Sequence, residues 1–221
     1  MTLFGRDSLL TSWMTLPGDP DLALGVLDAL AGTQGTVVDP RRDEEPGKIM
    51  HEVRAGPWLA DAGRGATGEP GEDVYYGSAD ASALFVMLLD ELDRWGGLEP
   101  YDRARLLPAA DLALEWITTH GDRDGDGFVE YLRATPEGLR NQGWKDSWDG
   151  VRFADGTVAE PPIALCEVQA YVYGAFVARA RLAGRIGDDA GCVAWYARAS
   201  DLAARFDRAF WNDRIGGYVL G

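Results

Sequence analysis

The chain has 221 residues, 46% of them hydrophobic and 26% charged, a balance that excludes disorder and suffices for a real core. Lys and Arg number 21 against 36 Asp and Glu, a formal net charge of −15. That sign argues against nucleic acid and anionic membrane surfaces as partners, since both need clustered cations. A neutral ligand remains, and eight Trp supply the flat faces a polyhydroxylated one needs.

The apolar pattern is helical nearly throughout. Arg6–Leu16 predicts a short helix stopped by Pro17-Gly18, and Asp19-Pro20 opens a second that ends at Gly32. Leu22, Val26, Leu27 and Leu30 share one face of that second helix. Ser78–Trp95 is the cleanest: Ser78 or Asp80 caps it, Ala83, Val86, Met87 and Leu89 face inward, and Gly96-Gly97 ends it. Pro100–His120 follows, with Leu106, Ala110, Leu114 and Ile117 at helical steps. Pro161-Pro162 is expected to start a fifth helix running to about Ala183, and Asp188–Trp211 a sixth. Strand signals are confined to Gly127–Leu132 and Gly217–Leu220.

Short and long connections alternate, the rhythm of antiparallel helix pairs joined end to end. The long ones, Thr33–Gly77 and His120–Pro162, exceed the roughly 15 residues beyond which a loop in a compact domain is usually functional. The fold class expected is therefore all-α, with the site at the end that carries both long loops. Six helices in pairs make an open arc with two raw edges, so residues 1–221 read as one partial domain of a larger whole, truncated at the C-terminus and also at the N-terminus. Cys166 and Cys192 sit within apolar helical patterns and read as buried thiols, neither a disulfide framework nor a metal site. The start MTLFGRDSLL is not a signal peptide, and the run Ala83–Leu89 is far short of a membrane span, so the cytoplasm is the expected location.

Asn141–Asp149 (NQGWKDSWD) is the most informative segment. Asp146 and Asp149 lie three apart among Trp144, Trp148 and Lys145. A general acid needs a carboxyl kept protonated by apolar walls or a like charge; the tryptophans can be the walls and Asp149 the charge. Gly5-Arg6-Asp7-Ser8 offers either a cap with a salt bridge or a clamp whose guanidinium and carboxylate engage adjacent hydroxyls. Tyr75-Tyr76-Gly77-Ser78-Ala79-Asp80 precedes the third helix, and two tyrosines on a long loop favour a ligand surface. His51-Glu52-Val53-Arg54 lacks the second His of a zinc HExxH motif, so a metal reading is weak there. Asp122–Phe128 imitates a calcium loop, but Arg133 stands where the bidentate Glu belongs, and a turn is expected instead. Glu167 and Gln169 enter an apolar helix near its start, where an unpaired carboxylate is rare unless functional.

Taken in order, TLFGRDSL, DEEPGKIxHEVR, YYGSxDA, DGDGFVEY, NQGWKDS and EVQAYVY resemble the bacterial amylo-alpha-1,6-glucosidases of the glycogen debranching type, over about Thr2–Tyr218. The resemblance implies an (α/α)6 toroid of twelve helices, shared with glucoamylases, trehalases and mannosylglycerate hydrolases, of which this chain is the first half. It implies inverting hydrolysis of alpha-linked glucosides, with one carboxylic acid protonating the departing oxygen and a carboxylate opposite activating water. Asp146 takes the acid's place, with Asp149 as the other catalytic candidate. Arg6 and Asp7 take that of the pair gripping the terminal sugar. Asp80, Trp144 and Glu167 match positions lining the pocket, and Glu52, Arg54, Tyr76, Lys145, Trp148 and Gln169 complete the substrate-binding set. The general base is expected from a late helix pair beyond this chain. An oligosaccharide or small glycoside is the implied partner besides the second half of the domain, with no metal or cofactor. Trehalase-like or mannosylglycerate-hydrolase-like hydrolysis, or carbohydrate binding without catalysis, are the alternatives.

Overall fold

The structure, a computed structural model, describes residues 2–55 and 72–221. About half of the chain is helical. In order, the elements are β1 (Thr2–Phe4), α1 (Gly5–Thr15), α2 (Pro20–Gly32), β2 (Glu52–Ala55), β3 (Glu72–Tyr75), α3 (Ala81–Arg94), α4 (Pro100–Thr119), α5 (Cys166–Arg185), α6 (Asp189–Phe210), β4 (Trp211–Asn212) and β5 (Gly217–Tyr218). All six expected helices form, and the fold class is all-α with few strands.

The local reasons are those the sequence offers. Asp19 caps α2 through its side chain onto the Leu22 N–H, with Pro20 in the first turn. Asp188 caps α6 in the same way through Gly191 N–H. Nearly every side chain of α3 is buried, because it packs against α1 on one side, α5 on the other and α4 behind. The pairs α1–α2, α3–α4 and α5–α6, each joined by a short connection, pack together. Leu9, Leu27, Leu30, Phe85, Leu88, Leu89, Leu106 and Leu114 fill the space between them.

The two long connections interlock. Asp43, in the first, accepts hydrogen bonds from Ala134 N–H (2.7 Å) and Gln142 Nε2 (3.1 Å) in the second. Tyr75 donates its hydroxyl to Asp43 Oδ2 (2.6 Å) and accepts the Leu139 N–H (2.7 Å). Asp43 adopts this position in a left-handed backbone conformation (φ 51°), which Asp tolerates better than most residues.

Several expectations are corrected. The fifth helix begins at Cys166, not at Pro161-Pro162, because Ile163 exchanges backbone hydrogen bonds with Tyr131 and cannot also join a helix. That isolated bridge is all that forms from the strand signal at Gly127–Leu132. An antiparallel sheet β1–β2–β3 also forms, outside the two strand signals of the sequence. The terminal strand does form, as β5 on β4. Leu22 is exposed, and Cys166 and Cys192 are half-buried free thiols, not buried ones. Among the described residues no helix is long and apolar enough to cross a membrane.

Candidate functional site

The site is built on the junction of β1 and α1. Gly5 N–H donates to His51 C=O (2.8 Å), and a Cβ on Gly5 would lie 2.2 Å from Met50 O. Only glycine permits that approach, and it sets the first turn of α1 against the start of β2. Arg6 follows and turns inward. Its Nε donates to Asp80 Oδ2 (2.6 Å), its Nη2 to Gly143 C=O (2.8 Å), and its Nη1 lies 3.9 Å from Asp146 Oδ2.

Asp80 is fully buried, and its second oxygen accepts the Ser78 hydroxyl (2.7 Å). Of the two expected caps, Asp80 makes no capping bond, while Ser78 Oγ accepts the Ala81 N–H at 3.3 Å. A carboxylate that far inside is tolerable only when paired and hydrogen-bonded, and Arg6 and Ser78 together meet that need.

The loop carrying Asp146 has a rigid root and an open tip. Asn141 and Gln142 are buried. Asn141 accepts the Tyr131 hydroxyl (2.8 Å) and donates to Ser147 C=O (2.6 Å), which folds the loop over itself. Gln142 donates to Asp43, and its C=O accepts the Ala79 N–H (2.9 Å). Beyond Gly143 the chain turns outward. Trp144 is 60% and Trp148 66% exposed, and Lys145 holds its ammonium 5.8 Å from the Trp144 ring centroid. Asp146 itself is half-exposed.

These placements change the expected chemistry. Trp144 and Trp148 are largely open to solvent, and Asp149 is paired with Arg152 (2.6 Å). Arg152 holds the Asp149 carboxyl below its usual range. The carboxyl that is pushed up in this region is Glu167, in the first turn of α5, by burial first and by the charge of Asp80 in addition. Lys145 and Arg6 oppose that rise. A Cβ on Gly143 would stand 3.7 Å from Glu167 Oε1 and 2.4 Å from Leu165 Cδ1, so the loop root passes close over Glu167.

Arg6, Asp80, Lys145, Asp146 and Glu167 are therefore brought together from four separate segments. Tyr171, one turn after Glu167, joins them: its phenol is raised by burial and by the charges of Asp80 and Glu167. Its spacing of four from Glu167 on one helix was the available signal.

Other candidates sit apart or are otherwise engaged. Asp7 is exposed, and among the described residues its side chain has no partner. Glu52 is buried and accepts from Arg54 Nε (2.9 Å), so these two pair with each other along β2. Tyr76 is buried and donates to Thr33 C=O (2.8 Å); burial lifts its phenol to about 12. Gln169 clamps backbone, accepting Val129 N–H (2.9 Å) and donating to Val129 C=O (2.8 Å) and Leu165 C=O (3.1 Å).

The loop Asp122–Glu130 gathers Asp122, Asp124, Asp126 and Glu130, with oxygens all within 4.8 Å of one another. These four carboxylates are grouped closely enough to hold a metal ion, and each also accepts a backbone N–H of its own loop. Burial, with the three aspartates adding to it, lifts Glu130 to about 7.

No protein-family model and no curated protein matches the chain.

Proposed function

We propose that this chain is part of the catalytic domain of an inverting glycoside hydrolase of the glycogen debranching type, an (α/α)6 toroid acting on alpha-linked glucosides. One observation carries the reading: Arg6, buried, spans Asp80 and Asp146 while Gly143 sits between Arg6 and Glu167. A fixed guanidinium with carboxylates on either side can exchange hydrogen bonds with adjacent sugar hydroxyls in a set orientation. Proton transfer to the departing oxygen then falls to a carboxyl at the open side of the cluster.

Asp146 is the proposed donor, since it alone of the carboxylates around Arg6 reaches solvent on a loop whose root is immobilised. Glu167 is the second reading, favoured by the burial that lifts its carboxyl. The base that activates water would come from a carboxylate across the pocket, about 6.5–9.5 Å from the acid, supplied by later helices of the domain. The proposed partners are an oligosaccharide and that second half, and the proposed setting is cytoplasmic.

Leaving-group chemistry separates the two donors. In the polypeptide that includes the second half, Asp146→Asn should lower turnover of an alpha-glucoside about 10²–10⁴-fold and largely spare alpha-glucosyl fluoride, whose leaving group departs without protonation. If Glu167→Gln shows that selectivity and Asp146→Asn does not, the donor is Glu167. If neither does, or if no glucoside is hydrolysed, the glycosidase reading fails.

A further inference from the structure

Asp146 sits on a loop tied down on either side of it. Arg6 Nη2 holds the Gly143 C=O (2.8 Å) three residues before, and Asn141 Nδ2 holds the Ser147 C=O (2.6 Å) just after. The second tie has a support of its own. A carbonyl only accepts, so the Asn141 amide must turn its nitrogen to Ser147 and its oxygen the other way. There the Tyr131 hydroxyl donates to Asn141 Oδ1 (2.8 Å). Both residues are buried. Burial, with the charge of Glu167 adding to it, pushes the Tyr131 phenol up, so it keeps the proton it donates.

The backbone of Tyr131 is fixed in turn by the lead-in to α5. Its N–H donates to Ile163 C=O (3.3 Å) and its C=O accepts the Ile163 N–H (3.4 Å), four residues before Glu167. Two residues back, the Gln169 amide grips Val129 on both backbone groups, at 2.9 and 2.8 Å. Residues 129–131 are thus moored on both sides of Glu167, which lies in the first turn of α5. The Tyr131 hydroxyl carries that mooring across to the loop of Asp146.

We propose that Tyr131 is a positioning residue: through Asn141 it fixes the Ser147 carbonyl, and with it the neighbouring Asp146, relative to Arg6 and to the start of α5 that bears Glu167. The inference rests on the glycosidase reading for what Asp146 does. A proton donor must stand within hydrogen-bond reach of the departing oxygen, and a misplacement of about 1 Å can cost about a hundredfold in rate. Arg6 is held by Asp80 and by the Gly143 carbonyl, neither of which depends on the Ser147 tie. Loss of the Tyr131 hydroxyl should therefore slow proton transfer and leave sugar binding alone.

Tyr131→Phe removes one oxygen and keeps the ring in the core. In the 221-residue chain the Asn141 side-chain amide protons should exchange about two- to tenfold faster in this variant, the range of one net hydrogen bond. In the polypeptide that includes the second half, kcat on isomaltose should fall about ten- to hundredfold, with KM changed by less than about twofold. Turnover of alpha-glucosyl fluoride, whose leaving group needs no proton, should be largely spared. Asn141→Ala should show the same selectivity, and the double variant should lose no more than the larger single loss, because the two residues act along one path. Tyr131→Phe with full kcat on isomaltose, or with equal losses on isomaltose and the fluoride, overturns the positioning role and leaves the glycosidase reading standing. Unchanged exchange of the Asn141 amide, or additive losses in the double variant, overturn it as well. If the unsubstituted polypeptide hydrolyses neither substrate, the glycosidase reading falls, and the positioning of a proton donor with it.

Discussion

Asp80 and Asp146 share one guanidinium but not one environment. Asp80 is sealed from solvent, bound by Arg6 Nε at 2.6 Å and by Ser78, while Asp146 stands half-exposed at 3.9 Å from the other end of the same group. The first is a foundation: it fixes where Arg6 lies, and Arg6 in turn fixes the Gly143 carbonyl. The second is an arm, half-exposed on a loop that folds back on itself through Asn141 and Ser147. Substitutions that remove the foundation should therefore cost stability, and substitutions on the arm should cost activity alone.

The largest effect is expected at the foundation. Asp80→Ala leaves a buried guanidinium with one carbonyl and a distant carboxylate, and breaking a buried pair in this manner costs about 3–5 kcal/mol. Urea denaturation should read that loss directly. The double variant Arg6→Met with Asp80→Leu should lose much less than the single one, because no charge is then stranded. Equal losses in both would mean that the pair holds the two long loops together and not merely each other.

Asp43 comes next, joining the two loops with three acceptor contacts from a left-handed backbone. Asp43→Ala forfeits those contacts and strains φ, with a loss of about 2–3 kcal/mol. Asp43→Asn tolerates the backbone and keeps one acceptor oxygen, so it should fall well short of that. A matching loss in both variants would put the weight on the charge and not on the geometry.

Much of the foundation was legible from residue order. Pro20 after Asp19, and Asp188 ahead of an apolar stripe, mark helix starts by chemistry that acts within four residues, and both caps form. What escaped depends on distance in sequence. Asp80 reads as a cap because its nearest neighbours are a helix's first amides; its real partner is 74 positions away. The sheet escaped because Thr2–Phe4 and Glu52–Ala55 are three and four residues long and hold little β-branched character, so pairing and not propensity makes them strands. Trp144 and Trp148 stand beside Asp146 in sequence, but the loop leaves both largely exposed after Gly143. Gln169 and Tyr76 carried the right residue types for a ligand but spend them on backbone carbonyls.

Glu130 gives a pH test of the acidic loop, away from the foundation. Its folded pKa, about 7, lies above the 4.5 of a free Glu, so the folded state holds a proton that the unfolded state has released between those values. Its contribution to stability is present in full below about pH 4.5 and is lost as pH rises through 7. With a chelator present, the denaturation midpoint should therefore fall between pH 5 and pH 8, and Glu130→Gln, which keeps an acceptor for Arg123 N–H, should flatten part of that fall. An identical slope in the variant would assign the pH dependence to other groups.

The smallest effect belongs to the arm's outer end. Asp149 faces Arg152 at the surface, where solvent and salt screen the pair and two long side chains lose freedom to form it. Its carboxyl is held below the ordinary 3.8, so whatever it adds is present above that value and vanishes as pH falls through the lowered one. Asp149→Asn should leave the urea midpoint at pH 7 within experimental scatter and should leave any leaving-group dependence of the longer polypeptide intact. The pair lies at the end of a loop whose root is fixed by Asn141 and Gln142, so losing it cannot relax Asp146 through the backbone. A clear loss of stability would make Arg152 part of the foundation. A loss of glucoside turnover that spares the fluoride would move the proton donor three residues along the loop, away from Arg6, and the contrast between the two carboxylates on that guanidinium would no longer describe how the site works.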